Sequence, residues 1–108
     1  MKRADVVLVR EPGSPAGKAR PCIVVQRDSA LEVAAKVTVC PLTSHLRGPA
    51  GQRPFVAPTK ENGLRVPSEV QVDWIFTHPV EAIGDSIGRL DAVAMDQIDF
   101  ALRAWLDL

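Results

Sequence analysis

Residues 34–44 read AAKVTVCPLTS and residues 20–26 read RPCIVVQ, and these two stretches decide the fold. The first alternates with the two-residue period of a β-strand, and the second is rich in β-branched residues. Each carries its polar residues at one end. If the two strands are neighbours, Arg20 can meet the hydroxyls of Thr43 and Ser44 around one anion. A guanidinium beside two hydroxyls is suited to a phosphate, so the pattern predicts an anion site.

Further strands are predicted on both sides of this pair. They cover residues 5–10, about 53–57, 68–77 and 87–90. Residues 27–32 are expected to hold a turn or a short helical piece, and residues 45–54, rich in Arg, Gly and Pro, a mobile loop. Asn62 and Gly63 supply the conformations that a tight turn requires.

A helix is predicted at the end of the chain. Asp91 is the expected N-cap, and the helix should continue to about Leu106. Its apolar stripe consists of Met95, Ile98, Leu102 and Trp105. This spacing is typical of a helix face that packs on a core.

These elements predict a mainly β (α+β) fold. Five or six short strands and one closing helix favour a small, strongly bent sheet or barrel with the helix packed against it. The 108 residues suit a single domain, residues 1–108. Because so small a core gains from burying another face, a homodimer is favoured.

The composition limits the function classes. The formal net charge is zero, so the field of the whole molecule makes no case for nucleic acid. Charge is nevertheless uneven: residues 10–65 hold nine Lys or Arg against four Asp or Glu, whereas residues 85–107 hold five Asp against two Arg. No apolar run reaches the length of a membrane span, and no secretory signal follows Met1. A cytoplasmic location is therefore expected.

Two cysteines, Cys22 and Cys40, lie within apolar strand patterns. This context favours buried small side chains over a disulfide framework or a metal site. Neither histidine has a Cys or acidic partner at a recognised ligand spacing, so no metal and no cofactor is expected.

The order of several short motifs resembles that of the MazF/PemK toxins of bacterial toxin–antitoxin pairs. The motifs are residues 2–9 (KRADVVLV), 13–14 (GS), 19–21 (ARP), 41–44 (PLTS), 62–64 (NGL), 67–68 (PS), 72–73 (VD) with Thr77, and 101–106 (ALRAWL). The resemblance extends over almost the whole chain, and it depends on order and spacing rather than on any one motif.

The resemblance implies a CcdB/MazF-like, SH3-like barrel with added helices. It implies a homodimer whose interface groove receives single-stranded RNA, and a cognate antitoxin whose acidic tail occupies that groove. Active members of the family are endoribonucleases that need no metal. The ribose 2′-hydroxyl attacks the adjoining phosphate and leaves a cyclic phosphate and a free 5′-hydroxyl. No membrane is involved.

Residue roles follow from the matched positions. Arg20 is implied as the catalytic arginine and Thr43 as the hydroxyl that holds the scissile phosphate. The implied substrate-binding residues are Ser14, Lys18, Ser44, Phe55 and Asp73. Phe55 could stack on a base, although a lone Phe in a strand is more often part of the core. Asp73 could accept a proton or orient an arginine, and a paired structural carboxylate is an equal alternative.

The chain also departs from the family pattern. Pro15 and Ala16 replace loop acids and amides, and Gln71 stands where some relatives use an arginine. Trp74 and Phe76 replace a glutamine and an arginine, and are expected to change base preference, to strengthen a dimer interface or simply to join the core. The two histidines, His45 and His78, lie in unmatched contexts and are expected to be solvated loop residues, with His45 also open as a phosphate contact.

Two other functions stay open on the sequence. Related gyrase-poisoning toxins share the implied fold and act by binding a protein through the terminal helix, although they match Arg20 and Thr43 less well. A catalytically decayed homologue that only binds its antitoxin is the other alternative.

Overall fold

The computed structural model describes residues 1–10 and 18–108. Seven strands and two helices occur in these ranges: β1 Asp5–Arg10, β2 Ala19–Val24, α1 Asp28–Leu31, β3 Lys36–Thr43, β4 Phe55–Val56, β5 Ser68–Val70, β6 Phe76–Pro79, β7 Ile83–Arg89 and α2 Ala92–Leu106. The mainly β fold with a C-terminal helix is therefore confirmed. No helix in these ranges is both long and apolar enough to span a bilayer.

The strands form one strongly bent antiparallel sheet. Its order is β4-β5-β3-β2-β1-β7, and β6 also pairs with β3. One edge of β3 pairs with β2, as the sequence predicts. The other edge is shared: residues 36–39 pair with β6, and residues 42–43 pair with β5. Because β3 bonds to both, it joins the two halves of the sheet.

The prediction of one continuous strand over residues 68–77 is wrong. A 3₁₀ turn at Val72–Trp74 interrupts it and separates β5 from β6. The amide of Gln71 donates to the carbonyl oxygen of Pro41 at 2.9 Å, and the amide of Trp74 donates to that of Gln71 at 3.0 Å. The chain turns here because it must pass from one partner segment of β3 to the other.

Two apolar clusters lie on opposite faces of the central strands, because side chains alternate along a strand. The first contains Val6, Ile23, Cys40, Leu42, Val70 and Ile98, among others, and includes the buried side of α2. The second contains Val7, Val9, Cys22, Val24, Val37 and Val39. Cys22 and Cys40 are both buried, as expected, but they belong to different clusters.

Helix α2 begins where the sequence predicts. The side chain of Asp91 caps it by accepting a hydrogen bond from the amide of Ala94 at 2.8 Å. Met95 and Ile98 are buried and Leu102 is partly buried. Trp105 is 58% exposed, so its predicted core position is wrong. Burial of α2 declines towards its end, and residues 103–106 are all exposed.

The predicted turn at Asn62 and Gly63 is confirmed, and it packs closely on β7. Asn62 is buried, and its side-chain oxygen accepts from the amides of Thr59 and Leu64, each at 3.0 Å. Gly63 has φ +70°, and a Cβ there would lie 2.0 Å from the carbonyl oxygen of Ile87. Glycine is required at this position for both reasons.

Candidate active site

Alternation along two neighbouring strands places Arg20 and Thr43 on the same face of the sheet. On β2 the side chain of Arg20 lies on the same face as that of Cys22, because the two residues are two positions apart. On β3 the side chain of Thr43 lies on the same face as that of Val39. Continuing the β2–β3 register by two residues beyond the Cys22–Pro41 pair sets Arg20 opposite Thr43. The β2–β3 pairing ends at the Cys22–Pro41 pair, so Arg20 and Thr43 lie just beyond it. Both residues line a gap at this end of the two strands.

This gap is an open cleft of about 450 Å³, the size of a typical small-ligand site. Polar and charged groups reach it from Arg20, Thr43, Ser44, Ser68 and Gln71. Its apolar wall comes from Pro21, Pro41, Leu42, Val66 and Trp74. Arg20 is the only charged residue among the described residues that line it. The cleft is therefore electropositive and suited to an anion.

The two central side chains are available to a ligand. Arg20 is exposed, and no ion pair within residues 1–10 and 18–108 involves it. Thr43 is partly buried, and its hydroxyl oxygen accepts from the amide of His45 at 3.1 Å. That bond leaves the hydroxyl proton of Thr43 free to donate to an anion. Ser44 is exposed beside it.

Two other predicted site residues, Lys18 and Phe55, do not line this cleft. Ser14 lies outside the described residues. Lys18 is exposed just before β2. Phe55, 53% exposed, lines a different cleft of about 320 Å³ beside the start of α2. Phe55 pairs with Glu69, which pairs with Thr43, so two strand spacings of about 5 Å separate Phe55 from Thr43.

Asp73 also stays out of the cleft, because it forms an ion pair with Arg53. The Nε and a terminal nitrogen of Arg53 donate to the two carboxylate oxygens, each at 2.9 Å. The side chain of Arg53 is 4% exposed and that of Asp73 is 27% exposed. The hydrogen bonds from Arg53 lower the pKa of Asp73, and those to Asp73 raise the pKa of Arg53. Asp73 is thus ionised and bonded at neutral pH.

A buried carboxylate that sequence reasoning missed fixes the loop after Thr43. Glu69 is 2% exposed, and its two oxygens accept from the amides of Arg47 and Gly48, each at 3.0 Å. The stem of Arg47 lies against Gly51, where a Cβ would come within 2.7 Å of it. Together with the ion pair at Arg53, these contacts anchor the loop expected to be mobile. The feature of the sequence that could have revealed this contact is Glu69 itself, because it is a charged residue within a buried strand.

The histidines differ from each other. His45 is exposed in the loop after Thr43, as expected. His78 is 5% exposed within β6, and its ring centroid lies 4.4 Å from that of Phe76. The expectation of a solvated loop histidine is therefore wrong for His78, because β6 includes it in the ladder with β3. Neither imidazole lines the cleft.

Within the described part of the chain, no group of three or more His, Cys, Asp or Glu side chains is placed to hold a metal ion. What the cleft offers is one guanidinium, hydroxyls, an amide and an exposed indole. These groups can grip a phosphate and contact an apolar or aromatic group beside it.

Comparison with known proteins identifies the family of this chain. A family model described as PemK-like, MazF-like toxin of type II toxin–antitoxin system matches residues 2–106. A probable endoribonuclease MazF of Mycolicibacterium smegmatis is 31% identical over 108 residues, covering 100% of this chain and 98% of the relative. Endoribonuclease MazF9 of Mycobacterium tuberculosis is 34% identical over 103 residues, covering 89% and 85%.

Solved structures show the same fold. The Mycobacterium tuberculosis toxin MazF-mt6 superposes with a TM-score of 0.78 at 30% identity, covering 95% of this chain and 97% of that one. A MazE–MazF structure from Deinococcus radiodurans gives a TM-score of 0.80 at 16% identity, covering 100% and 97%. The family model spans nearly the entire sequence, and this chain belongs to the PemK-like, MazF-like toxins of type II toxin–antitoxin systems.

Proposed function

We propose that this chain is an endoribonuclease toxin that cuts single-stranded RNA at short sequence motifs, without a metal. The observation that carries the proposal is the placement of Arg20 opposite Thr43 in one open, electropositive cleft. The curated relatives described above are named endoribonucleases. Nothing in the cleft or among these relatives favours the gyrase-binding alternative.

The proposed reaction needs charge stabilisation at a phosphate. The ribose 2′-oxygen forms a bond to phosphorus as it loses its proton, and the bond from phosphorus to the 5′-oxygen breaks as that oxygen gains one. The products are a 2′,3′-cyclic phosphate and a 5′-hydroxyl. Arg20 grips two phosphoryl oxygens with its planar fork, and the hydroxyl of Thr43 donates to the same group. Strands β2 and β3 hold the backbone of the two residues in position before the substrate arrives.

The remaining predicted residues have proposed roles around this centre. Ser44 adds a hydroxyl next to Thr43, Lys18 attracts the RNA backbone just before β2, and Ser14 also binds the substrate. Phe55 binds a base about two strand spacings from the scissile phosphate. Asp73 acts by orienting an arginine, since both of its oxygens bond to Arg53.

Partners and location are also proposed from the family. The solved relatives include an endoribonuclease in complex with its cognate antitoxin and a MazE–MazF structure, so we propose that an antitoxin binds this chain as well. A homodimer is favoured by the exposed apolar side chains on α2, which include Val93, Phe100 and Trp105. The chain acts as one toxin domain, residues 1–108, in the cytoplasm.

The test is cleavage of mixed-sequence single-stranded RNA by the purified protein in the presence of EDTA. We expect cut products with cyclic phosphate and 5′-hydroxyl ends. Arg20→Ala should lower the rate by about 100-fold or more, because it removes a group that stabilises the transition state. Arg27→Ala is the matched control, since Arg27 is exposed and does not line the cleft. Intact RNA with the wild-type protein, or equal rates for both variants, would overturn the proposal.

A further inference from the structure

An exposed tryptophan forms one wall of the cleft. Trp74 is 61% exposed, although a large indole is normally buried or placed at an interface. It lies in the cleft that also contains Arg20 and Thr43, and Val66, 50% exposed, lines the same cleft. This arrangement leaves an aromatic face open to solvent beside the proposed phosphate site.

The backbone that carries Trp74 is held in place. Trp74 ends the 3₁₀ turn Val72–Trp74, and its amide donates to the carbonyl oxygen of Gln71. The preceding residue, Asp73, is fixed by two hydrogen bonds from the buried Arg53. An aromatic side chain on a fixed backbone loses little conformational entropy when it binds, since it has only two rotatable bonds.

Gln71 lines the same cleft and supplies a carbonyl oxygen and an amide group. Its backbone amide bonds to Pro41, so this residue too is attached to β3. An amide side chain can pair with the hydrogen-bonding edge of a nucleobase, while an indole face contacts the flat surface of the same base.

We propose that Trp74 and Gln71 form a nucleobase subsite, in which the base next to the scissile phosphate stacks on Trp74 and Gln71 contacts its edge. The inference rests on the proposed endoribonuclease function and adds the element that selects the cut site. Stacking tolerates any base, so Trp74 supplies affinity and Gln71 supplies the preference. The subsite is built by the two residues that depart from the family pattern at positions 71 and 74.

Binding can be measured without cleavage by using Trp74 as its own probe. The chain has two tryptophans, so Trp105→Phe leaves Trp74 as the only one. The ligand is a random-sequence pool of short 2′-O-methyl RNA, which cannot be cut because its 2′-oxygen is blocked. A matched pool of abasic oligonucleotides carries the same phosphates without bases. We expect the first pool to quench the emission of Trp74 and the second to leave it unchanged.

Four variants separate the possible causes. Trp74→Ala should weaken binding of the 2′-O-methyl pool by about tenfold or more, and Trp74→Phe should retain most of the affinity. Val33→Ala is the control, because Val33 is an exposed apolar residue that does not line the cleft. Gln71→Ala should change the nucleotides found next to the cuts in digested RNA, with a smaller effect on affinity.

The possible results distinguish the proposed subsite from the proposed nuclease activity. Equal quenching by the abasic pool, unchanged affinity in Trp74→Ala, or a loss of affinity in that variant that accompanies dissociation into monomers on size exclusion would overturn the subsite. If the wild-type protein cuts RNA and Trp74→Ala behaves like it, the subsite fails and the nuclease stands. If RNA stays intact while base-bearing oligonucleotides quench Trp74, the nuclease fails and base binding stands.

Discussion

Asp73 accepts two hydrogen bonds of equal length, 2.9 Å, from the nearly buried guanidinium of Arg53. The pair joins the end of the loop after β3 to the turn that carries Trp74. It also keeps the carboxylate of Asp73 bonded to a cation. The contribution of this ion pair can be measured as a change in the free energy of unfolding and in the way that free energy depends on pH.

The first prediction concerns Asp73→Ala. Removing the carboxylate leaves the charge of Arg53 buried, with only Glu69 near enough to attract it, so the free energy of unfolding should fall by about 2–3 kcal/mol. Because the pKa of Asp73 is lowered in the folded state, its stabilisation is present above the unfolded pKa of about 4 and disappears as pH falls through the folded pKa. Urea denaturation of wild type and variant from pH 7 downward should therefore show converging stabilities in acid. A constant difference would contradict the assignment.

The second prediction concerns the buried carboxylate of Glu69. Glu69→Gln keeps the shape but leaves only one oxygen for two amides, so one of the amides of Arg47 and Gly48 loses its acceptor. Both amides should exchange with deuterium faster than in the wild type, while those of β1 keep their protection. Glu32→Gln is the control, because Glu32 is an exposed acid directly after α1. Unchanged exchange at residues 47 and 48 would show that the loop does not depend on Glu69.

The third prediction compares two glycines with positive φ. A Cβ at Gly63 would lie 2.0 Å from a backbone oxygen of β7, whereas one at Gly48 would meet nothing within 4 Å. Gly48→Ala therefore suffers only backbone strain, about 1–3 kcal/mol, and Gly63→Ala adds a collision that no side-chain movement relieves. Thermal unfolding should rank the wild type above Gly48→Ala and Gly48→Ala above Gly63→Ala. The reverse order of the two variants would contradict the close packing of residues 62–63 on β7.

The fourth prediction separates two tasks of Thr43. Thr43→Ser keeps the hydroxyl and should cut RNA at nearly the wild-type rate. Thr43→Val keeps the shape but loses the donor to phosphate and the acceptor of the amide of His45. We expect the cleavage rate of Thr43→Val to fall by about 100-fold and the free energy of unfolding by only about 1 kcal/mol. A large loss of stability with an unchanged rate per folded molecule would assign Thr43 to the turn alone.

Local patterns predicted the elements that depend on local physics. The span of β1 and the cap of α2 at Asp91 follow from alternation and from a side chain that bonds its own helix. The strand 68–77 was mispredicted because alternation continues through Val72, and only the shared edge of β3 makes the chain turn there. Trp105 has helical spacing, but the last turn of α2 is exposed.

The same distinction holds for the site. The proximity of Arg20 and Thr43 could be predicted from the sequence. Each residue lies at the end of a strand, the two strands are neighbours, and alternation puts both side chains on the same face. Phe55 could not be placed, because its distance from Thr43 depends on β5 lying between them. The partners of Glu69 and Asp73 were also out of reach, since amides and guanidinium groups some 20 residues away in the chain leave no periodic signal.

The positions of Cys22 and Cys40 on opposite faces of adjacent strands have a chemical consequence. Their sulfur atoms cannot approach to bonding distance unless one strand turns over, so oxidants cannot cross-link them in the folded chain. Burial also raises the pKa of Cys40 to about 12, so its nucleophilic thiolate form is scarce. The folded chain should therefore keep its shape during peroxide stress, when many regulatory proteins change theirs.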